Sequence, residues 1–206
     1  MVKTTFCLEG IAGAGKTTQA NKIKEIWEFM NYSYLIVNEK QYNPFKETII
    51  KWHNEGTGQY FTKSQIESIA KARGDTHKRH FIPKLKELDF LLFDRCFYTS
   101  AIYQSEGDLT LQEIINLNIK EGAIIPEKGV ILICSPEIAK IRIDERRKKL
   151  NKYTLPSLYE SVSEISKRRD LYIELAKIHP ELYLIDTTKK TEENTFQEIK
   201  KVLGII

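Results

Sequence analysis

Cysteine is scarce in this chain. Cys7, Cys96 and Cys134 are its only three among 206 residues, far apart and odd in number. No two stand at metal-ligand spacing, which argues against zinc. Reduced thiols packed as small hydrophobes are the expectation, as in a cytoplasmic protein. Long apolar runs are lacking too. None approaches the roughly 18 residues of a membrane span. No charged-then-apolar leader opens the chain, so neither a membrane partner nor a signal peptide is expected. Charge of one sign does not dominate. Lys and Arg number 32 against 28 Asp and Glu, a net of +4, so a broad basic face for nucleic acid is not expected. No internal repeat and no linker rich in Pro, Gly or Ser divides the sequence. Residues 1–206 therefore read as a single domain.

Five short apolar runs stand out: Thr5–Glu9, Tyr34–Asn38, Phe90–Asp94, Val130–Cys134 and Leu182–Asp186. Each is continuously apolar rather than alternating, the pattern of a strand buried on both faces of a parallel sheet. Helical stretches lie between them. Lys16–Met30 follows the first run. Lys63–Leu88 is long and is expected to divide where Gly74 and Pro83 interrupt it. Pro136–Lys149 and Pro156–Ile178 read as strongly amphipathic, and Glu192–Leu203 closes the chain. Strands alternating with helices predict an α/β fold, a five-stranded parallel sheet flanked by helices in three layers.

The first strand runs into Gly10-Ile11-Ala12-Gly13-Ala14-Gly15-Lys16-Thr17, a complete G-x-x-x-x-G-K-[ST] string, followed by Thr18. Its glycines allow backbone N–H groups to close round a phosphate. Lys16 reaches the β and γ phosphates of a nucleoside triphosphate, and the Thr17 hydroxyl suits Mg²⁺. The helix that follows points its positive N-terminus at the anion. A switch GTPase would need Asp-x-x-Gly after the third strand and Asn-Lys-x-Asp later. Neither string occurs. The third strand instead ends in Asp94-Arg95. Asp94 reads either as a Mg²⁺ ligand through water or as a helix cap. Arg95, at the carboxyl edge of the sheet, offers a planar fork to a second phosphate.

These strings resemble the thymidylate kinases, a branch of the phosphate-loop nucleoside monophosphate kinases. The segments that carry the resemblance are FCLEGIAGAGKTTQ, FDRCFYTSAIYQ, ARGDTHKRHFIPKL, SPEIAKIRIDERRKK and SKRRDLYIELAK with LYLIDTT. The resemblance implies ATP as donor, Mg²⁺ as cofactor and dTMP as acceptor. It implies that residues 10–18 and Arg142 hold ATP, Arg142 lying against the adenine. Thr17 and Asp94 would place the metal. Arg95 would grip the acceptor monophosphate, Arg73 would reach its base, and Tyr103 with Gln104 would meet its sugar and pocket. Arg73 has a plainer alternative as a solvated helix charge, and Tyr103 as a core aromatic. Residues 142–153 fall where the family has its mobile lid, with Arg146 and Arg147 as the candidates for the transferring phosphoryl. A solvated face with pairs such as Glu145–Lys149 is compatible with that role. The family also pairs as homodimers.

Three positions depart from the family, all on the acceptor side. Ala12 replaces a carboxylate. Asn38 replaces an Arg, with Glu39 retained and Lys40 offering charge from the next position. Ile69 replaces a Phe that stacks on the base. Glu39 also suits a deoxynucleoside kinase, which needs a general base to activate a hydroxyl. That enzyme, another monophosphate kinase of the same fold, and a non-catalytic nucleotide-binding regulator are the alternatives.

Overall fold

The computed structural model describes residues 4–54, 60–149 and 158–205. Five strands form one sheet: β1 (Thr4–Gly10), β2 (Tyr34–Val37), β3 (Phe90–Asp94), β4 (Lys128–Ile133) and β5 (Leu182–Asp186). Their order is β2-β3-β1-β4-β5. β2 runs parallel to β3 with Val37 opposite Phe93, and β4 parallel to β5 with Ile133 opposite Asp186. The predicted α/β class and all five strands are present. Burial on both faces holds for β1 and β4, but not for β5. There Leu182 and Ile185 are buried while Tyr183 and Leu184 are 45% and 40% exposed. As the last strand of the sheet, β5 is not sealed like an interior one.

The chain divides into two compact units, residues 1–7 with 26–127 and residues 8–25 with 128–206. The first unit contains α2 (Phe45–Asn54), α3 (Lys63–His80), α4 (Phe97–Gln104) and α5 (Leu111–Lys120). An aromatic stack fills one end of its core, with Trp27 lying flat on Phe90 at 5.0 Å and Phe6 on Phe90 at 5.9 Å. Thr62 and Thr110 start α3 and α5, each in a reciprocal capping box, with Gln65 and Glu113 respectively. Each box satisfies two backbone donors that a helix start leaves open.

The expected break at Gly74 does not occur. α3 runs through it, and only Pro83 marks a change, in the short turn Ile82–Lys84. Gly74 serves close packing instead. A Cβ there would overlap the carbonyl oxygen of Glu121, at the end of α5. Gly74→Ala is accordingly expected to destabilise the protein by about 1–3 kcal/mol, although alanine is the better helix former. Denaturant unfolding checks this.

α6 (Pro136–Lys149), α7 (Val162–Ile178) and α8 (Glu192–Leu203) belong to the second unit. The amphipathic reading of α6 and α7 was too strong. Of α6 only Ala139 and Ile143 are buried, and Ile141 is exposed. The buried stripe of α7 is narrow and includes a charge: Ile165, Arg168, Tyr172 and Leu175. Positions 156 and 157, expected to open this helix, lie outside the described residues, as do 150–153 of the expected lid. All three cysteines are buried and none is in a disulfide. Among the described residues, no helix is long and apolar enough to cross a membrane.

Candidate active site

The phosphate loop lies in the second unit and begins where β1 ends. Gly10, Gly13 and Gly15 take φ values of 127°, 76° and 97°, a region costly for residues with a Cβ. Gly10 is doubly required, because a Cβ there would overlap the Leu132 carbonyl of β4. α1 (Lys16–Phe29) starts directly after this loop, so its N-terminal N–H groups face the loop, where a helix start favours an anion. Lys16 is 7% exposed. Its ammonium donates to the carbonyls of Gly10 at 3.0 Å and Ile11 at 2.6 Å. The loop thus holds its cation on its own backbone. The Thr17 side chain is exposed.

Arg142, on α6, donates to the Gly13 carbonyl at 3.4 Å and to Thr187 through both its hydroxyl and its carbonyl, each at 3.1 Å. The Thr187 hydroxyl lies 3.3 Å from the Ala14 carbonyl. The phosphate loop, α6 and the turn after β5 are therefore laced together around Arg142. Farther along α6, the two candidate arginines differ. Arg147 is paired with Glu160, and Asp144 lies 4.0 Å away. Arg146 is exposed, and no ion pair holds it among the described residues. The expected Glu145–Lys149 pair is not formed among them either. Asp144 takes the i,i+4 role instead, with Lys140 at 2.7 Å.

The residues expected on the acceptor side lie in the first unit and gather round Arg73. This side chain is 2% exposed, which rules out the solvated helix charge. Each nitrogen of its fork has a partner. Nε donates to Glu39 at 2.9 Å, one terminal nitrogen to Asn118 at 2.5 Å and the other to Ser100 at 2.8 Å. The ring of Phe45 packs against the guanidinium carbon at 4.4 Å. The second oxygen of Glu39 meets His77 Nε2 at 2.6 Å. His77 Nδ1 accepts from the Ile124 N–H at 2.9 Å, so the ring proton sits on Nε2 and points at the carboxylate. Burial raises the Glu39 pKa, but Arg73 and His77 together outweigh it and hold the carboxyl below its usual range.

His77, Ser100 and Asn118 were not anticipated from sequence. His77 was legible, since it falls four residues after Arg73 on one face of α3, as Ile69 falls four before it. Asn118 had no such signal, because it arrives from α5. Ile69 is itself 1% exposed and belongs to the packed stripe of α3.

At the end of β3 the capping role proposed for Asp94 is not realised. Cys96 is the N-cap of α4 and makes no side-chain cap. Asp94, a carboxylate at the end of β3, forms no ion pair among the described residues, which fits an oxygen donor kept for a hard cation. Arg95 takes φ 70°, a left-handed conformation costing roughly 1–2 kcal/mol for such a residue, and its guanidinium lies 3.3 Å from the Thr99 hydroxyl. Tyr103 is only half-buried, unlike a plain core aromatic. Gln104 is 5% exposed, and its Oε1 is buried with no hydrogen-bond partner among the described residues. Asn38 caps the turn Glu39–Gln41, accepting from the Lys40 N–H at 3.2 Å.

A parallel sheet, a glycine loop closing on its own lysine, and a helix opening at that loop define a phosphate-loop nucleotide-binding protein. The family model for thymidylate kinase matches residues 8–199. The chain belongs to the thymidylate kinase family. Relatives include a thymidylate kinase of Kosmotoga olearia, 29% identical over 95% of this chain and 93% of its own. A probable thymidylate kinase of Thermococcus gammatolerans is 25% identical over 97% and 93%. The crystal structure of thymidylate kinase from Ehrlichia chaffeensis shares the fold, with a TM-score of 0.69, 19% identity and full coverage of both chains.

Proposed function

We propose that this protein transfers the γ-phosphoryl group of ATP to dTMP, giving dTDP and ADP. The observation that carries the reading is the state of Glu39. A kinase acting on a nucleoside must remove a proton from a hydroxyl. Glu39 is the carboxylate available for that, and both its oxygens are already engaged by Arg73 and His77. Held ionised and buried, it is a counter-ion rather than a base. A monophosphate acceptor needs no base, because its attacking oxygen is already anionic. Catalysis then rests on positioning and on neutralising charge.

In this reading the phosphate loop and Lys16 hold the β and γ phosphates, and Arg95 orients the acceptor phosphate. Arg142 lies against the adenine. Arg146, in no ion pair among the described residues, is the better candidate than Arg147 for the transferring group. Thr17 and Asp94 would hold Mg²⁺, which supplies charge neutralisation at the donor phosphates when bound. The buried, unpartnered Gln104 oxygen suits an N–H of the acceptor base, and thymine presents one at N3. Tyr103 packs on the sugar. A homodimer is part of the same proposal.

The test is turnover with Mg-ATP and a panel of dTMP, dUMP, UMP, CMP, AMP and thymidine, with products separated. Diphosphate from dTMP is the expected result. Turnover of thymidine without dTMP would overturn the assignment. Arg95→Ala is expected to raise the KM for dTMP by about 10- to 100-fold, the scale of a lost charge-assisted contact, with the KM for ATP little changed. Equal rises in both would place Arg95 elsewhere in the mechanism.

A further inference from the structure

Thr187 takes no part in the reaction as proposed. It is nevertheless 3% exposed and sits where three segments of the second unit meet. Its backbone is fixed first. Asp186 lies opposite Ile133 in the β4–β5 ladder, and the Thr187 N–H donates to the Ile133 carbonyl at 2.7 Å. On the other side, Asp186 accepts from both the N–H and the hydroxyl of Thr188. The Thr188 hydroxyl accepts in turn from the Ser135 N–H at 2.9 Å. The turn after β5 is thus pinned to the end of β4.

On this turn Thr187 presents two oxygens to one guanidinium. Nη1 of Arg142 donates to the hydroxyl and Nη2 to the carbonyl, each at 3.1 Å. That is the two-pronged grip a carboxylate usually supplies, made here by neutral oxygens. Nη1 also reaches the Gly13 carbonyl at 3.4 Å. The proton of the Thr187 hydroxyl faces the carbonyls of Ile133 at 3.1 Å and Ala14 at 3.3 Å, which leaves its lone pairs for Arg142. Among the described residues, no carboxylate pairs with Arg142. Guanidinium N–H groups point in the plane of the fork. Bonds along its edge therefore fix that plane and leave the charged flat face for stacking on a ring. The long arginine stem alone would leave the plane free to turn.

We propose that Thr187 is a positioning residue of the donor site, whose hydroxyl and carbonyl set the plane of the Arg142 fork on which the adenine of ATP stacks. Thr187 acts through Arg142 and not on the nucleotide itself. Its effect is therefore confined to ligands that carry a base, and the phosphates are held without it. This inference rests on Arg142 lying against the adenine.

Calorimetric binding of ATP and of inorganic tripolyphosphate, each with Mg²⁺, tests it. The proteins are the full-length wild type, Thr187→Val, Thr187→Ser, Arg142→Met and the double variant Thr187→Val with Arg142→Met. Thr187→Val keeps the shape of the side chain and removes the hydroxyl. It is expected to weaken ATP about tenfold, the scale of one lost hydrogen bond to a charged group, and to leave tripolyphosphate unchanged. Thr187→Ser is expected to bind ATP nearly as wild type does. The double variant should bind ATP no more weakly than Arg142→Met, because a residue acting through another adds nothing once that other is gone. An equal loss for tripolyphosphate in Thr187→Val, or additive losses in the double variant, overturns the proposal. The equal loss would assign the hydroxyl to the shape of the phosphate loop, through Ala14. Weaker ATP binding in Arg142→Met with none in Thr187→Val overturns this inference alone. Unchanged ATP binding in Arg142→Met overturns the placement of Arg142 and this inference with it.

Discussion

Glu39→Ala is expected to lower folding stability by about 3–5 kcal/mol, the scale for removing one partner of a buried ion pair. The substitution strands three groups at once. Arg73, 2% exposed, keeps its charge with no counter-ion. His77 loses the acceptor for its Nε2 proton. The short turn Glu39–Gln41 loses its tie to α3. Denaturant unfolding at pH 7 measures the loss. The pH dependence separates this account from simple cavity formation. The folded-state pKa of Glu39 lies below its ordinary value. Its contribution is therefore complete above the ordinary glutamate pKa of roughly 4.3, and it fades as pH falls through the lower folded value. The stability gap between wild type and Glu39→Gln should shrink over that acid range and be constant above it. A gap that stays flat through the acid range would show that the carboxylate charge contributes nothing.

Lys16→Ala is expected to reduce kcat roughly 100- to 1,000-fold, the range for deleting one preorganised charge-stabilising donor. The Lys16 ammonium now rests on the carbonyls of Gly10 and Ile11. Those contacts hold it in the loop, close to where transferring charge would develop. Exchanging carbonyls for phosphate oxygens needs little movement of the chain, so most of the effect should fall on the chemical step. Fluorescent-nucleotide binding combined with steady-state kinetics distinguishes the cases. A variant with normal kcat and a raised KM for ATP would show that Lys16 only binds.

The donor half was nearly all legible. A contiguous string from Gly10 to Thr18 writes its geometry locally, because positive φ, a helix N-terminus and a lysine within six residues need no distant partner. Arg142 was singled out by resemblance, but its bonds to Thr187 come from a turn 45 residues away. The acceptor half read less well. Arg73 and Glu39 were both singled out, yet as independent contacts to a ligand. Nothing in the spacing of Glu39, Arg73, Ser100 and Asn118 says that they meet, since three different connections bring them together. α5 was missed although Thr110 and Glu113 carry its capping signal. Gly74 was misread as a breaker because its reason lies across the packing interface, at Glu121.

The amino-acid sequence alone determined the fold class, the strands and the phosphate loop. Apolar runs and glycine positions are local properties, and local properties survive in a linear string. Only the tertiary structure decided that Arg73 and His77 engage both oxygens of Glu39, and that Asp94 does not cap α4. Those outcomes depend on which groups share a buried volume, where one hydrogen-bond partner more or less reverses what a charged side chain can do.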